Sequence, residues 1–261
     1  MYAQLPRFDY QIPARRTLER DHGHLARLLR PGLSILDLGC ADGALTAGMA
    51  KAVGPGGNVV GVDRDAAGLE LARSQHSALT NLRFEVGDVM TLSYHARFDI
   101  VTAARLLQWI ADPALALARM KEAAKPEGII VVLDFNHVNH EWKPDPPREF
   151  SDFYRAFLDW RQSNQWDNLI ADRLPALFRS AGLVNVESHV QDEIVDRGEP
   201  EFAGRAALWS DAIENLGDQI VKAGFLTETQ LKEARECYDV FMHAELLKQT
   251  LQMRTVTGTV P

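Results

Sequence analysis

A doubly wound α/β domain with a mostly parallel sheet is the fold class that the sequence predicts, on three observations. Helix-like and strand-like stretches alternate as far as residue 135. The strand-like stretches are nearly continuous apolar runs, as expected where helices cover both faces of a parallel sheet. The first of them, within ILDLGCADGALT (Ile35 to Thr46), ends in an acid and a loop of small residues before the next helix. Right-handed crossovers then wind such a chain into a sheet with helices on both faces.

Pro13 is placed to open a helix whose apolar face is Leu18, Leu25, Leu28 and Leu29, closed by Pro31-Gly32. His22 and His24 are expected on its solvated side. Leu33 to Leu38 reads as the first strand and Ala44 to Val53 as a helix, broken by Gly54 to Gly57. Asn58 to Asp63 is the second strand, Ala66 to Gln75 a helix, Leu82 to Val86 the third strand and Phe98 to Ala103 the fourth. Asp112-Pro113 supplies an N-cap acid and a first-turn proline for a helix to about Ala124. Gly128 leads into a fifth strand, Ile129 to Leu133.

Beyond Phe135 the pattern changes. NHVNHEWKPDPPREF reads as loop, and Phe150, Phe153, Tyr154, Phe157 and Leu158 follow at helical spacing. Leu174 to Ala181 reads as helix ending at Gly182, and Asn185 to Val195 as strand. Thr227 with Gln230 resembles a capping box before a long helix towards Leu246. Thr250 to Val260 reads as a closing strand. The expected organisation is a single domain over 1–261, with an N-terminal helical segment at 1–32 and a ligand-binding core at 33–135.

Composition excludes several classes. The net charge is −8 and 46% of residues are hydrophobic. Between Glu187 and Asp218 acids far outnumber Arg197 and Arg205, so nucleic acid is not an expected partner. Cys40 and Cys237 form no disulfide or zinc pattern. No stretch reaches the ~18 apolar residues that span a bilayer, and the N-terminus lacks a secretory apolar core, so a cytoplasmic protein is expected. His137, His140 and Glu141 lie on an irregular, Pro-flanked loop, and no metal site is expected there.

The glycine loop narrows the ligand. Gly39 and Gly43 lie after the first strand, where open α/β sheets bind ligands. The loop reads G-C-A-D-G-A, without the glycines of a dinucleotide fingerprint, and Asp42 would oppose phosphates. No Gly-Lys-Ser/Thr follows for a P-loop. A ligand with an adenosine-like group and a cation remains. Asp63 at the end of the second strand can accept both ribose hydroxyls. Asp88 can accept from an exocyclic amine, and the Val89 amide can donate to a ring nitrogen.

DLGCADG, GVDRD, GDV, FDIV and PEGIIVV, in that order from Leu33 to Phe135, resemble the successive motifs of class I S-adenosylmethionine-dependent methyltransferases. Within that class the chain is similar to the small-molecule group of ubiquinone/menaquinone-biosynthesis methyltransferases. The resemblance implies a seven-stranded sheet whose last strand is antiparallel. It also implies a helical cap insertion at 136–170, and a C-terminal part at 171–261 that carries a helical insertion at about 199–247. The cofactor would be S-adenosylmethionine, with S-adenosylhomocysteine as product.

Carried over, Asp37 organises the loop and helps hold the methionine ammonium, and Gly39 lets the loop approach the methionine moiety. Cys40 (a small neutral filler), Ala41 (where the family often has glycine) and Gly43 complete that loop. Asp63 binds the ribose, Arg64 flanks the adenine, and Asp88 with Val89 reads it. Ala104 to Leu106, Arg105 among them, face the methionine end. On the acceptor side His137 is the expected base, with Tyr154 as a second catalytic candidate. Tyr10, His140, Phe150, Phe153 and Phe157 are candidates for the pocket of a small-molecule methyl acceptor. Two alternatives stand beside this reading: a regulatory protein that binds the cofactor without methyl transfer, and a methyltransferase acting on protein or RNA.

Overall fold

The computed structural model describes residues 16–261, which form two compact units. The core unit comprises residues 16–135, Ile170–Gln191 and Met253–Pro261, and the second unit comprises Asn136–Leu169 and Asp192–Gln252.

The chain begins in the core unit with two short helices, α1 (Leu18–Asp21) and α2 (Gly23–Leu28), separated at His22. A single helix was expected here, opening at Pro13, which lies outside the described residues. His22 adopts φ −147° and ends the helical run. Then come β1 (Ser34–Leu38), α3 (Ala44–Val53), β2 (Asn58–Asp63), α4 (Ala66–Gln75) and β3 (Leu82–Val86). β4 (Phe98–Ala104), α5 (Pro113–Ala123) and β5 (Ala124–Phe135) complete the alternation. Asp112 caps α5 through the Leu115 amide at 3.0 Å, with Pro113 in the first turn.

After β5 the chain enters the second unit as β6 (Glu141–Lys143) and α6 (Arg148–Ser163), then returns as α7 (Ile170–Ser180) and β7 (Val184–Val190). It leaves again through β8 (Glu193–Asp196), α8 (Phe202–Ala206), α9 (Leu208–Lys222), α10 (Glu228–Ala244) and β9 (Lys248–Leu251), and ends in β10 (Met253–Thr259). Both bonds of the capping box at Thr227 and Gln230 are formed at the start of α10.

Seven strands of the core unit lie in the order β3-β2-β1-β4-β5-β10-β7. β1 through β5 run parallel, and β10 runs antiparallel to both neighbours. Strand order reverses between β1 and β4, which places a crevice at their C-terminal ends. Alternation along the strands divides the core between two helical layers. Ile35, Val59, Ile100 and Val131 pack with Leu18, Leu25 and Met49 of α1–α3. Leu36, Val60, Val101 and Val132 pack with Leu117 and Met120 of α5 and Leu174 and Phe178 of α7.

Two expected single strands are each divided. Asn185 to Val195 becomes β7 in the large sheet and β8 in the second unit, and Thr250 to Val260 becomes β9 and β10. The breaks, at Gln191-Asp192 and at Gln252, are where the chain passes from one sheet to another. Local alternation does not report a change of partner. The expected loop after Phe135 contains β6, whose Trp142 pairs with Gln249 of β9 in a three-stranded sheet, β6-β9-β8. Among the described residues no helix is long and apolar enough to cross a membrane.

Candidate functional site

The strand ends of the core unit carry the glycine loop. Gly39 (φ 72°) and Gly43 (φ 78°) occupy the left-handed region, and so does Ala41 (φ 50°), where a side chain costs roughly 1–2 kcal/mol. A Cβ on Gly43 would lie 2.4 Å from Phe84 Cζ, and one on Gly39 would lie 3.0 Å from Leu106 Cδ1. The glycines are therefore required by packing as well as by φ. The amides of Gly39 and Cys40 both donate to the Val62 carbonyl, at 2.8 and 3.2 Å, which ties the loop to β2.

Asp63 tightens the same tie. Its Oδ2 accepts from the Ala41 amide at 2.9 Å, and its Oδ1 accepts from the Asp65 amide at 2.9 Å. Asp65, rather than Asp63, caps α4 through the Ala67 amide at 3.0 Å. Asp37 is buried at the end of β1, where its Oδ2 accepts from the Thr46 hydroxyl at 2.7 Å. Burial pushes the Asp37 carboxyl up to about 7; the Thr46 bond opposes this and the Asp63 charge adds to it. Asp42 is also buried; its Oδ1 accepts from the Ala44 amide, and its Oδ2 has no hydrogen-bond partner among the described residues. Burial raises its carboxyl too.

Cys40 is buried with Leu69, Ala72 and Phe84. Burial first, then the Asp37 and Asp63 charges, push its thiol well above the usual range, so it stays protonated. At the end of β3, Asp88 accepts from the Met90 amide at 2.9 Å and lies 3.8 Å from Arg64 Nη1. Val89 is buried in the turn that follows. At the end of β4, Arg105 takes φ 61°, its amide donates to the Leu133 carbonyl at 2.7 Å, and its guanidinium lies over the Phe135 ring at 5.7 Å. Gln108 Nε2 donates to the Arg105 carbonyl at 3.1 Å, and the Gln108 amide donates to buried Asp134 at 3.0 Å.

His22 corrects an expectation. It is fully buried rather than solvated, with Nε2 3.2 Å from the Thr102 hydroxyl. Burial and the Arg105 charge lower its pKa to about 3. Its helix is amphipathic by spacing, but the break at His22 turns the imidazole inward. Thr46, Asp134 and Gln108 were also not singled out. Thr46 was detectable as the one hydroxyl-bearing side chain on α3, whose other residues are apolar or glycine except Lys51 in the last turn.

In the second unit, His137, His140 and Tyr154 come together. The Tyr154 hydroxyl lies 2.5 Å from the His137 carbonyl, to which it donates, and 3.0 Å from His140 Nδ1. The two imidazole centroids are 5.1 Å apart. Burial, and secondarily the Arg161 charge, holds His137 well below the usual imidazole range and His140 at about 3. Burial pushes the Tyr154 phenol up. Phe150, Phe153 and Phe157 form the buried face of α6. Phe150 stacks on Tyr238 with centroids 4.3 Å apart, and Phe157 meets His137 edge-on at 5.6 Å. Trp142 joins this cluster from β6, and Trp209 and Gln249 join it from sequence positions far from Phe150. Tyr10 lies outside the described residues. No group of His, Cys, Asp or Glu among the described residues could hold a metal ion.

A glycine loop that needs its glycines, two buried acids beside it and an acid at each of two neighbouring strand ends suit a ligand with a cation and a polar heterocycle. Comparison with known proteins bears on which ligand that is. A family model described as "Methyltransferase domain" matches residues 29–182. Trans-aconitate 2-methyltransferase of Deinococcus radiodurans is 37% identical over 124 residues, which cover 46% of this chain and 46% of that protein. Demethylmenaquinone methyltransferase of Staphylococcus aureus is 28% identical over 176 residues, covering 60% of this chain and 70% of that protein. Phosphoethanolamine N-methyltransferase 2 of Haemonchus contortus, solved with phosphomonomethylethanolamine and S-adenosylhomocysteine, shares the fold at a TM-score of 0.58. It is 16% identical, and the match covers 93% of this chain and 52% of that one. The chain thus spans about half the length of some of the proteins it matches.

Proposed function

The chain belongs to the methyltransferase-domain family, and from that premise we propose that it transfers the methyl group of S-adenosylmethionine to a small-molecule acceptor. The observation that carries this reading is the Asp63 carboxylate, which holds the glycine loop through the Ala41 amide while standing at the tip of β2, beside buried Asp37. The residues fit the cofactor: Asp37 and Asp42 are acids kept from water beside a loop whose Gly39, Ala41 and Gly43 all take positive φ.

In this reading Asp37, with the loop from Gly39 to Gly43, holds the methionine end, and Arg105 borders it. Asp63 accepts from the ribose hydroxyls, and Arg64, Asp88 and Val89 border the adenine. When bound, S-adenosylmethionine supplies an electrophilic methyl group on a sulfonium, open to in-line displacement. The protein's share is then to position the acceptor and exclude water. A cation arriving beside Asp37 opposes the effect of burial and favours its carboxylate form.

His137, Tyr154, His140, Phe150, Phe153 and Phe157 are assigned to the acceptor side. The lowered basicity of His137 suits it to holding an acceptor by hydrogen bonding better than to removing a proton with a high pKa. Turnover of His137→Ala that is undiminished across pH 6–9 would remove it from the mechanism. The reading as a whole is tested by titrating S-adenosylhomocysteine into the protein and by a methyl-labelled S-adenosylmethionine screen over phenols, amines and small acids. Heat of binding with label transferred to one class is expected; absence of both overturns the proposal.

A further inference from the structure

The core sheet ends in two edge strands, β3 and β7, and the chain treats them differently. At the β3 edge a side chain from α4 covers the backbone: Arg73 Nη2 donates to the Phe84 carbonyl at 2.8 Å. At the β7 edge the pairing with β10 fixes which backbone groups face outward. The Gln191 amide donates to the Met253 carbonyl at 3.1 Å, and the register runs unbroken from Val190 to Glu187. Backbone groups alternate in direction along an antiparallel strand. His189 and Glu187 therefore face β10 as Gln191 does. Ser188 and Val190 turn their N–H and C=O groups to the open side, with the Val186 carbonyl beside them. Among the described residues none bonds these outward groups.

Such an edge is a template for another strand, and chains that stay apart blunt it with proline or lysine. β7 reads Val-Asn-Val-Glu-Ser-His-Val and has neither. It is complementary to itself instead. When two copies are set antiparallel about Ser188, that residue exchanges backbone bonds with its own copy. Each Val190 amide then reaches the Val186 carbonyl of the other copy, so every group used is one that faces outward. Between them, Glu187 of one copy falls opposite His189 of the other, at non-hydrogen-bonded positions where side chains stand closest.

The His189 ring is held ready for this. It stacks on His24 of α2 with centroids 3.8 Å apart, and its Nε2 lies 3.3 Å from Glu187 Oε2 of its own strand. Val190, 66% exposed in the single chain, would lie against Val186, which packs on the core below. The next register along would oppose Glu187 to Glu187, and like charges directly opposite disfavour it. Asn185, at φ 52°, ends the regular run on one side.

We propose that the chain forms a symmetric dimer in which β7 pairs antiparallel with β7 of a second copy, centred on Ser188. The two core sheets then join into one. A strand pairing this short falls below the ~1,200 Å² of a standard interface, so dissociation is expected in the micromolar range.

The test is sedimentation equilibrium of the full chain over about 1–500 μM. A monomer–dimer equilibrium is expected, and monomer throughout overturns the proposal. Ser188→Pro removes an N–H that β10 does not use, and Val190→Lys sets a lysine on the edge. Each should weaken the dimer at least about tenfold. Val86→Lys, at an exposed position of the β3 edge, should leave it unmoved. A dimer that survives Val190→Lys, or that Val86→Lys weakens equally, overturns the proposal. If circular dichroism finds Ser188→Pro unfolded, Val190→Lys decides alone. Ser188→Cys reads the register. Oxidation should join it to its own copy, since paired Cα atoms there stand about 5.5 Å apart, and peptide mapping separates that bond from any made by Cys237. Failure of that bond to form in the dimer overturns the pairing centred on Ser188.

Discussion

In the core unit the buried ionisable groups near the strand ends are mainly carboxylates, Asp37, Asp42 and Asp134, with His22 and Arg105 close by. In the second unit they are imidazoles and a guanidinium, His137, His140 and Arg161, set among aromatic rings with the half-buried Tyr154 phenol beside them. Burial acts on both sets, but in opposite directions of charge. It disfavours the anion of Asp37 and the cations of His137 and His140, so each is driven towards its neutral form. The core thereby holds a carboxyl driven towards its neutral form, and the second unit sets neutral imidazoles and aromatic rings around one buried guanidinium, Arg161. The difference teaches that burial removes charge from a carboxyl in one unit and from imidazoles in the other, so the two respond to pH in opposite directions.

Acid should separate the two most strongly. His140, at about 3 when folded against 6.5 as its ordinary value, contributes stability that is present above pH 6.5 and lost as pH falls towards 3. His137 acts in the same direction. At two pH units below 6.5 each imidazole costs up to roughly 2.7 kcal/mol. In the core His22 behaves likewise, but Asp37 opposes it, since its contribution grows as pH falls from about 7 towards 3.8. Four of the five tryptophans, Trp142, Trp160, Trp166 and Trp209, lie in the second unit, and Trp109 lies in the core unit. Tryptophan fluorescence is therefore expected to change at a higher pH than amide hydrogen exchange in strands β1–β5 of the core unit. Coincident transitions would break the comparison.

Next in size is Asp37→Asn. Without ligand, at pH 8, the neutral amide should raise stability by on the order of 2–4 kcal/mol and flatten the dependence between pH 4 and 7, as measured by denaturant unfolding. The same variant should bind S-adenosylhomocysteine more weakly, a trade of function for stability. A gain in stability with unchanged affinity would remove Asp37 from the ligand. Gly43→Ala should cost about 2–4 kcal/mol, because the new Cβ both meets Phe84 and opposes a φ of 78°. Its thermal midpoint should fall, whereas Gly56→Ala, whose Cβ meets nothing within 4 Å, should leave it nearly unmoved. Asp63→Ala should weaken S-adenosylhomocysteine by about ten- to a hundredfold in calorimetry. Tyr154→Phe in the second unit should leave that affinity as it is, and a matching loss there would blur the division of labour drawn here.

The two units also differ in how far they could be read in advance. In the core unit α3, β2, α4 and β3 match their expected bounds, because each is a local pattern closed by a local stop such as Gly54 or the Asp65-Ala66 boundary. Asp37, Gly39, Asp63 and Asp88 were legible for the same reason: a strand's end and the residue after it are neighbours in sequence. The second unit offered less. α6 announced itself through Phe150, Phe153 and Phe157, and α10 through its capping box. β6 and β9 did not, since a three-residue strand exists only by virtue of its partner. His22 failed differently, for its amphipathic setting says nothing about a break that turns the ring towards Thr102.

Periodicity, caps and the acid-and-glycine punctuation along residues 33–135 determined, unaided, an alternating α/β core with acids and glycines at its strand tips. Those signals arise from backbone geometry over a few residues, and the chain carries them wherever it goes. Only the tertiary structure decided that Asn185 to Val195 and Thr250 to Val260 would each serve two sheets. It alone set Trp142, Trp209 and Gln249 around one another. Contacts between residues a hundred positions apart depend on which surfaces remain to be buried once the local elements have formed, and no short window of sequence contains that information.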